Sequence, residues 1–121
     1  MKPRVKALAV AVAVGASVMV FAVVAVAQPA RASATTIHVK GGEFFFKPNR
    51  PTVRRGKITI VFKNVGHVNH DLKVAGKRTA FIQPGKSARL VLKLGKRGNY
   101  PFICTVPGHA QAGMRGTLRV R

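Results

Sequence analysis

The sequence of 121 residues has almost no acidic side chains: Glu43 and Asp71 stand against 22 lysines and arginines. Two carboxylates 28 residues apart in the sequence give no evident acid and base pair for catalysis. The three serines, Ser17, Ser33 and Ser87, have no context that indicates a nucleophilic triad. We therefore predict that this protein is not an enzyme.

Cysteine is equally scarce, because Cys104 is the single cysteine of the chain. A disulfide within the chain is therefore excluded, and so is the Cys-x-x-Cys-His attachment of a c-type haem. Cys104 must therefore have a role other than a disulfide, and ligation of a metal is one such role. A simple buried cysteine is the alternative.

Cys104 opens a Cys-x4-His-x4-Met run that His109 and Met114 complete. Thiolate and thioether favour Cu(I), and imidazole also binds Cu(II), so this soft set indicates copper. Zinc would prefer further cysteine, histidine or carboxylate ligands. If Cys104 ends a strand, the Pro107-Gly108 pair can turn the chain so that His109 meets the same point. The run therefore predicts a copper site with Cys104, His109 and Met114 as ligands.

Three ligands on one loop leave a metal under-coordinated, and the other candidates are His38, His67 and His70. His70 follows the strand-like run 58–62 and precedes another alternating segment, a junction at which a rigid scaffold can present a ligand. We favour His70, with His67 of the same loop as the alternative. His38 lies in an alternating segment that predicts a solvent-facing strand position. Too few histidines remain for the second copper centre of a multicopper oxidase or nitrite reductase.

Short alternating segments separated by turn residues make up most of the remaining sequence. Residues 36–40, 57–63, 87–93 and 116–121 have this pattern, and we expect the glycine pair after 36–40 to end that strand. Regular spacing of short strands indicates a sandwich or a barrel. We find no convincing helix, repeat or linker, and the Tyr100 hydroxyl is a candidate to pin a strand corner.

Two motifs together resemble those of the cupredoxins, the small blue-copper proteins. They are Asn-x-Gly-x-x-x-His (Asn64, Gly66, His70) and Tyr-x-Phe-x-Cys-x4-His-x4-Met (Tyr100, Phe102, Cys104, His109, Met114). The loop spacing is most similar to the azurin, auracyanin and rusticyanin side of the family, and the resemblance covers 37–121. It implies an all-β, Greek-key β-sandwich with one type 1 copper per chain. The implied ligands are His70, Cys104 and His109, with Met114 as a long axial ligand.

The resemblance also implies outer-sphere transfer of single electrons, in which the copper cycles between Cu(II) and Cu(I). His109 would be the electron port, ringed by Val106, Pro107, Ala110 and Ala112. The alternative is an extracytoplasmic protein that binds Cu(I) for delivery or storage. A third reading is an anchored domain that binds envelope polyanions, with copper only structural.

The sequence departs from the family at Asp71, where plastocyanins and azurins commonly carry asparagine. An ionised aspartate only accepts hydrogen bonds. We therefore expect the Thr105 hydroxyl or a backbone N–H to be the donor that ties the two ligand loops together. A negative charge so near the metal should lower its reduction potential. The alternative is a solvated carboxylate in a turn.

Residues 1–34 have the pattern of an export signal. Three basic residues precede 21 uncharged residues (7–27), and an Ala-x-Ala site ends at Ala34. The run is longer than the usual apolar region of about 7 to 15 residues and close to the roughly 20 that span a bilayer. We predict a signal peptide or N-terminal membrane anchor over 1–34. The domain 35–121 would then be extracytoplasmic, in the periplasm or on the outer face of the membrane.

Positive charge dominates the exported part, because 18 basic residues and two acids give 35–121 a net charge of about +16. Such a field raises association rates with anionic partners. A β-domain without a recognition helix argues against nucleic acid. We expect a monomer whose partner is an acidic redox protein, such as a c-type cytochrome or an oxidase subunit. An anionic membrane or cell-wall surface is a further candidate, and a merely solvated surface is the plain alternative.

Overall fold

The computed structural model describes residues 2–4, 6–28 and 34–121. Nine strands follow one another along the chain: β1 Ala34–Gly42, β2 Phe45–Lys47, β3 Thr52–Val53, β4 Gly56–Asn64, β5 Lys73–Val74, β6 Lys77–Arg78, β7 Ser87–Leu94, β8 Gly98–Ile103 and β9 Arg115–Val120. Within the described ranges there is no helix, and hence none long and apolar enough to cross a membrane. The predicted Ala-x-Ala site lies partly outside the described residues.

The strands form two sheets. One has the order β2-β1-β4-β7 and the other the order β3-β9-β8-β5-β6. β1 pairs in parallel with β4, and β3 in parallel with β9, whereas the remaining pairs are antiparallel. The prediction of an all-β sandwich is confirmed.

Alternation along β4 shows why these residues form a sandwich. Ile58, Ile60 and Phe62 are at most 1% exposed, whereas Lys57 and Lys63 point to solvent. Successive side chains of a strand point to opposite faces, so an alternating sequence buries one face and solvates the other. The buried faces of both sheets meet in one core of sixteen side chains: Val39, Phe46, Val53, Ile58, Ile60, Phe62, Leu72, Val74, Ile82, Leu90, Leu92, Phe102, Cys104, Met114, Leu118 and Val120.

The first strand ends with the glycine pair, as expected, but both glycines belong to the strand. Gly41 and Gly42 continue β1 in register with β2, and Gly41 also pairs with Asn64 of β4. A Cβ on Gly41 would lie 2.6 Å from a ring carbon of Phe62. Glycine therefore serves here for close packing inside a strand and not for a turn.

All core side chains lie between Val39 and Val120, so residues 34–121 contain the whole packed unit. The large apolar side chains of the N-terminal run, from Leu8 to Val26, are 77–90% exposed and add nothing to this core. Among the described residues, 34–121 therefore hold every strand and all of the buried core.

Tyr100 forms the predicted corner. Its hydroxyl donates to the carbonyl of Lys96 at 2.9 Å, four residues earlier, and its ring packs against the core. The bond fixes the turn between β7 and β8, and therefore the entry of the strand that leads to Cys104.

Candidate metal centre

Asn64 organises the loop that ends at His70. Its side-chain amide donates to the carbonyls of Val68 at 2.8 Å and Ile82 at 2.6 Å, and its oxygen accepts from the N–H of Gly66 at 2.8 Å. His70 is then held by two backbone bonds with Ile82, of 3.1 and 2.7 Å. The fully buried imidazole of His70 is therefore fixed by its backbone and by Asn64 before any metal contributes.

The second loop, 104–114, doubles back as its sequence predicts. The Cys104 N–H donates to the carbonyl of Met114 at 3.1 Å, and the Met114 N–H donates to the carbonyl of His109 at 3.0 Å. Gly108 and Gly113 have φ angles of 82° and 122°, which glycine adopts without steric cost. The loop thus carries Cys104, His109 and Met114 to one end of the sandwich.

The two loops bring three ligand atoms together. The Nδ1 atoms of His70 and His109 are 3.1 Å apart, and the Cys104 Sγ lies 3.8 Å from the first and 3.6 Å from the second. These separations fit three atoms around one ion with bond lengths of about 2.0 to 2.3 Å. Two imidazoles and one thiolate in this arrangement are the donor set of a trigonal copper site.

The structure also places the other three residues that the sequence analysis considered as ligands: Met114, His67 and His38. Met114 is fully buried at the end of the same loop, with its methyl group beside Gly41. His67 is exposed and takes no part in the cluster of ligand atoms, and His38 is exposed on β1, as predicted. The structure therefore brings together His70, Cys104 and His109, and it buries Met114 at the end of the loop that carries Cys104 and His109.

Glu43 is a residue of this site that the sequence did not reveal. Its Oε1 lies 3.0 Å from the His70 Nε2 and accepts from the N–H groups of His67 at 2.7 Å and Val68 at 2.9 Å. Partial desolvation raises the pKa of Glu43, but the hydrogen bonds from Val68, His67 and His70 outweigh it and lower the pKa to about 2. The carboxylate is therefore ionised at neutral pH. The only hint in the sequence was that Glu43 is one of just two acidic residues in a very basic chain.

The Glu43 contact selects a tautomer of His70. An ionised carboxylate only accepts hydrogen bonds, so the proton of the neutral ring is on Nε2. The lone pair is then on Nδ1, the atom that faces Cys104 and His109. A carboxylate that orients a histidine in this way is a common second layer around protein-bound metals.

Burial sets the protonation of the other two ligands. Desolvation raises the pKa of the Cys104 thiol and lowers the pKa of His109. The His109 imidazole is therefore neutral at neutral pH and has a free lone pair. The thiol loses its proton when a metal binds, so binding is coupled to proton release.

Asp71 joins the two ligand loops. One of its oxygens accepts from the Thr105 N–H at 2.6 Å, and the other accepts from the Thr105 hydroxyl. Asp71 is fully buried, so the alternative of a solvated turn carboxylate is wrong. The predicted link is confirmed, with both of the proposed donors present at once.

Phe44 is a second residue that the sequence analysis missed. Its ring meets the His109 ring edge-on, with centroids 5.0 Å apart, and it is 44% exposed. Val65 and Val68, both more than 40% exposed, lie in the loop that leads to His70. His109 therefore emerges at an apolar rim.

A two-sheet sandwich whose end loops carry two histidines, a cysteine and a buried methionine defines the cupredoxin class with a type 1 copper site. Copper is accordingly the cofactor of this protein. The comparison with known families agrees, because residues 13–120 match the family described as a cupredoxin-like domain. The chain belongs to this family.

Individual proteins of known name share only part of this sequence. The chain is 29% identical to the copper-resistant cuproprotein CopI of Rubrivivax gelatinosus, over 76% of this chain and 69% of that protein. It is 45% identical to auracyanin-B of Chloroflexus aurantiacus over 42 residues, which are 35% of this chain and 18% of that protein. Among solved structures, the reduced auracyanin of Roseiflexus castenholzii superposes with a TM-score of 0.66 at 23% identity, covering 74% of this chain and 98% of that chain.

Proposed function

We propose that this protein carries single electrons between redox partners through one type 1 copper. The ligands are His70, Cys104 and His109, with Met114 in the axial position. When bound, copper supplies a reversible one-electron couple between Cu(II) and Cu(I). The protein is a carrier and not an enzyme.

The exposure of the four ligands is the observation that carries this proposal. His70 and Met114 are 0% exposed and Cys104 is 1% exposed, whereas His109 is half-buried. A substrate has no open path to the metal through the three buried side chains. Electrons must therefore pass through the edge of His109 without a bond between metal and partner.

The surroundings of His109 suit a transient partner. Phe44 contacts the ring, and Val106 and Pro107 precede His109 in the same loop as further apolar residues. Encounters of electron-transfer proteins are typically small and short-lived. We propose an acidic redox protein as the partner, because the positive field of the domain would steer it.

Two fixed carboxylates favour rapid electron transfer over release of the metal. Glu43 holds the His70 ring, and Asp71 holds Thr105 next to Cys104. Ligands that are locked before the metal binds need little rearrangement when its charge changes. We propose that the domain works outside the cytoplasm, in accord with the export signal predicted over 1–34.

Binding of Cu(I) for delivery or storage is the second candidate. The similarity to CopI, a copper-resistant cuproprotein, supports it. Such a protein would use the same soft ligands, but it would release the metal readily to a chelator. The two functions therefore differ in how firmly the metal is held and in whether both oxidation states are stable.

Spectroscopy on residues 34–121 tests the proposal. After addition of one equivalent of Cu(II), we expect intense thiolate-to-copper absorption and a narrow copper hyperfine splitting in the EPR spectrum. Both should be lost in Cys104→Ser. A colourless protein that holds Cu(I) through Cys104, and loses it readily to a chelator, would support copper handling instead.

A charge placed at the rim tests the electron port. Val106→Asp should slow reduction by hexacyanoferrate(II), an anionic donor, by about tenfold and leave the copper spectrum intact. Val91→Asp is the matched control, because Val91 is 42% exposed on the outer face of β7. Equal slowing in both variants would contradict a port at His109.

A further inference from the structure

The sandwich has two chemically different ends. The copper ligands follow the last residues of β4 and β8. The opposite end is formed by the first residues of β1 and β4, the turn from β7 to β8, and the end of β9. Nine residues of β4 separate the two ends, about 30 Å at roughly 3.3 Å per residue.

Arginines converge on this opposite end. Arg54, Arg55, Arg97 and Arg121 line one cavity of about 610 Å³. The Arg55 N–H donates to the Arg121 carbonyl at 2.9 Å, and the Arg121 N–H donates to the Val53 carbonyl at 3.0 Å. Gly98, next to Arg97, pairs with Val120, so the backbone brings three chain segments together there. All four arginine side chains are exposed.

A neighbouring cavity extends the same surface over β3, β8 and β9. It measures about 530 Å³ and includes Arg50 and Arg119 among its lining residues. Residues 34–121 contain nine arginines and nine lysines. Six of those arginines line the two cavities, and none of the lysines does. The basic groups that line these two cavities are therefore guanidinium groups and not ammonium groups.

The chemistry of this surface matches phosphate. Guanidinium groups bind phosphate oxygens through two parallel hydrogen bonds, which an ammonium group cannot do. The two acidic side chains of the protein lie at the copper end, where Glu43 contacts His70 and Asp71 contacts Thr105. In the part of the chain that the structure describes, no carboxylate pairs with these arginines.

The path of the chain indicates which kind of phosphate ligand this surface would meet. Ala34 begins β1 and pairs with Lys57 at the start of β4, so the chain enters the sandwich at the arginine end. The 21 uncharged residues 7–27 precede it by six residues. The segment with the strongest affinity for a bilayer therefore joins the domain next to the arginines.

We propose that Arg54, Arg55, Arg97 and Arg121 dock this end of the domain on the headgroups of an anionic phospholipid surface. The arginines of the neighbouring cavity extend the contact. The copper end then faces away from the membrane, where His109 is accessible to a soluble partner. This inference does not depend on the proposed electron transfer, because it concerns the opposite end of the molecule and needs no copper.

Binding of residues 34–121 to vesicles tests the proposal, because this unit lacks the apolar run. We expect binding to vesicles with roughly 30% phosphatidylglycerol and none to purely zwitterionic vesicles. Each basic residue at an anionic surface contributes about fivefold in affinity. Replacing Arg54, Arg55, Arg97 and Arg121 together by glutamine should therefore weaken binding by about 600-fold if the four contributions add.

A matched control removes the same charge from the other end. It replaces four exposed residues of the copper half by glutamine: Lys40, Lys47, Lys63 and Lys86. Binding should fall less than about threefold. Equal losses in the two variants, or no loss in the arginine variant, would overturn the proposal in favour of unspecific attraction by net charge.

The orientation is measured on the unaltered sequence by NMR with spin-labelled lipid. Amide signals of Arg54, Arg55 and Arg97 should broaden on vesicles, whereas those of 106–113 should not. Broadening of 106–113 instead would overturn the proposal. It would also be overturned if inorganic phosphate shifted the arginine amides while the protein failed to bind vesicles, because the ligand would then be a soluble anion.

Discussion

Glu43 Oε1 lies 3.0 Å from His70 Nε2, on the side of the ring opposite to the ligand atom Nδ1. The same oxygen accepts two backbone N–H groups, so its position is fixed by the loop as well as by the ring. One carboxylate thereby orients a buried imidazole and places a negative charge behind it.

Replacing Glu43 by glutamine should raise the reduction potential of the copper site. Removal of the charge behind His70 destabilises Cu(II) relative to Cu(I), and we expect a shift on the order of 50 mV, where about 59 mV is a tenfold change for one electron. Voltammetry measures the shift. In the copper-free protein, ¹⁵N NMR should show the Nε2–H tautomer of His70 in the unaltered sequence and a mixture in the variant. An unchanged potential and tautomer would show that the contact has no influence on the site.

Gly66→Ala should reproduce part of this effect without changing any charge. A Cβ on Gly66 would lie 2.5 Å and 2.6 Å from the two carboxylate oxygens of Glu43, so the flexible carboxylate must move. We expect a rise in potential that is smaller than in Glu43→Gln. In a Glu43→Ala background the same substitution should add nothing, because coupled sites are not additive. An equal shift in potential in both backgrounds would show that Gly66→Ala does not act through Glu43.

Asp71→Asn should also raise the potential by about 50 mV, because it removes a buried charge near Cys104 and keeps the side-chain shape. Thr105→Val is the companion variant, since it deletes the hydroxyl bond to Asp71 and retains the one from the backbone. Its main effect should be a loss of about 1 kcal/mol in stability. A potential that stays constant in Asp71→Asn would remove the predicted role of this charge.

Asn64→Ala should lower the free energy of unfolding by about 2 to 4 kcal/mol, because three hydrogen bonds are lost, including the buried one to the Ile82 carbonyl. Urea denaturation of the copper-free protein measures this loss. Asn69→Ala is the control in the same loop, and since Asn69 is exposed its effect should stay within about 0.5 kcal/mol. Similar losses in both variants would show that Asn64 does not organise the loop.

Local patterns determined much of this protein. Alternation within 57–63 and 87–93 predicted β4 and β7, because the period of side chains along a strand is set by the backbone itself. The Cys-x4-His-x4-Met spacing indicated the copper loop, since the turn at Pro107-Gly108 and the return to Met114 both occur within eleven residues. The link between Asp71 and Thr105 was predictable because each residue lies next to a proposed ligand.

Tertiary structure alone decided the contacts between distant segments. Glu43 stands 27 residues before His70, and the two meet only because β1 lies parallel to β4 and both strands end at the copper loops. The arginine surface combines side chains from three separate segments in the same way. The sequence by itself thus determined the strands, the charge and the candidate ligands, all of which are local properties. Sheet pairing decided which side chains orient His70 and which end is basic, because register and packing depend on the whole chain at once.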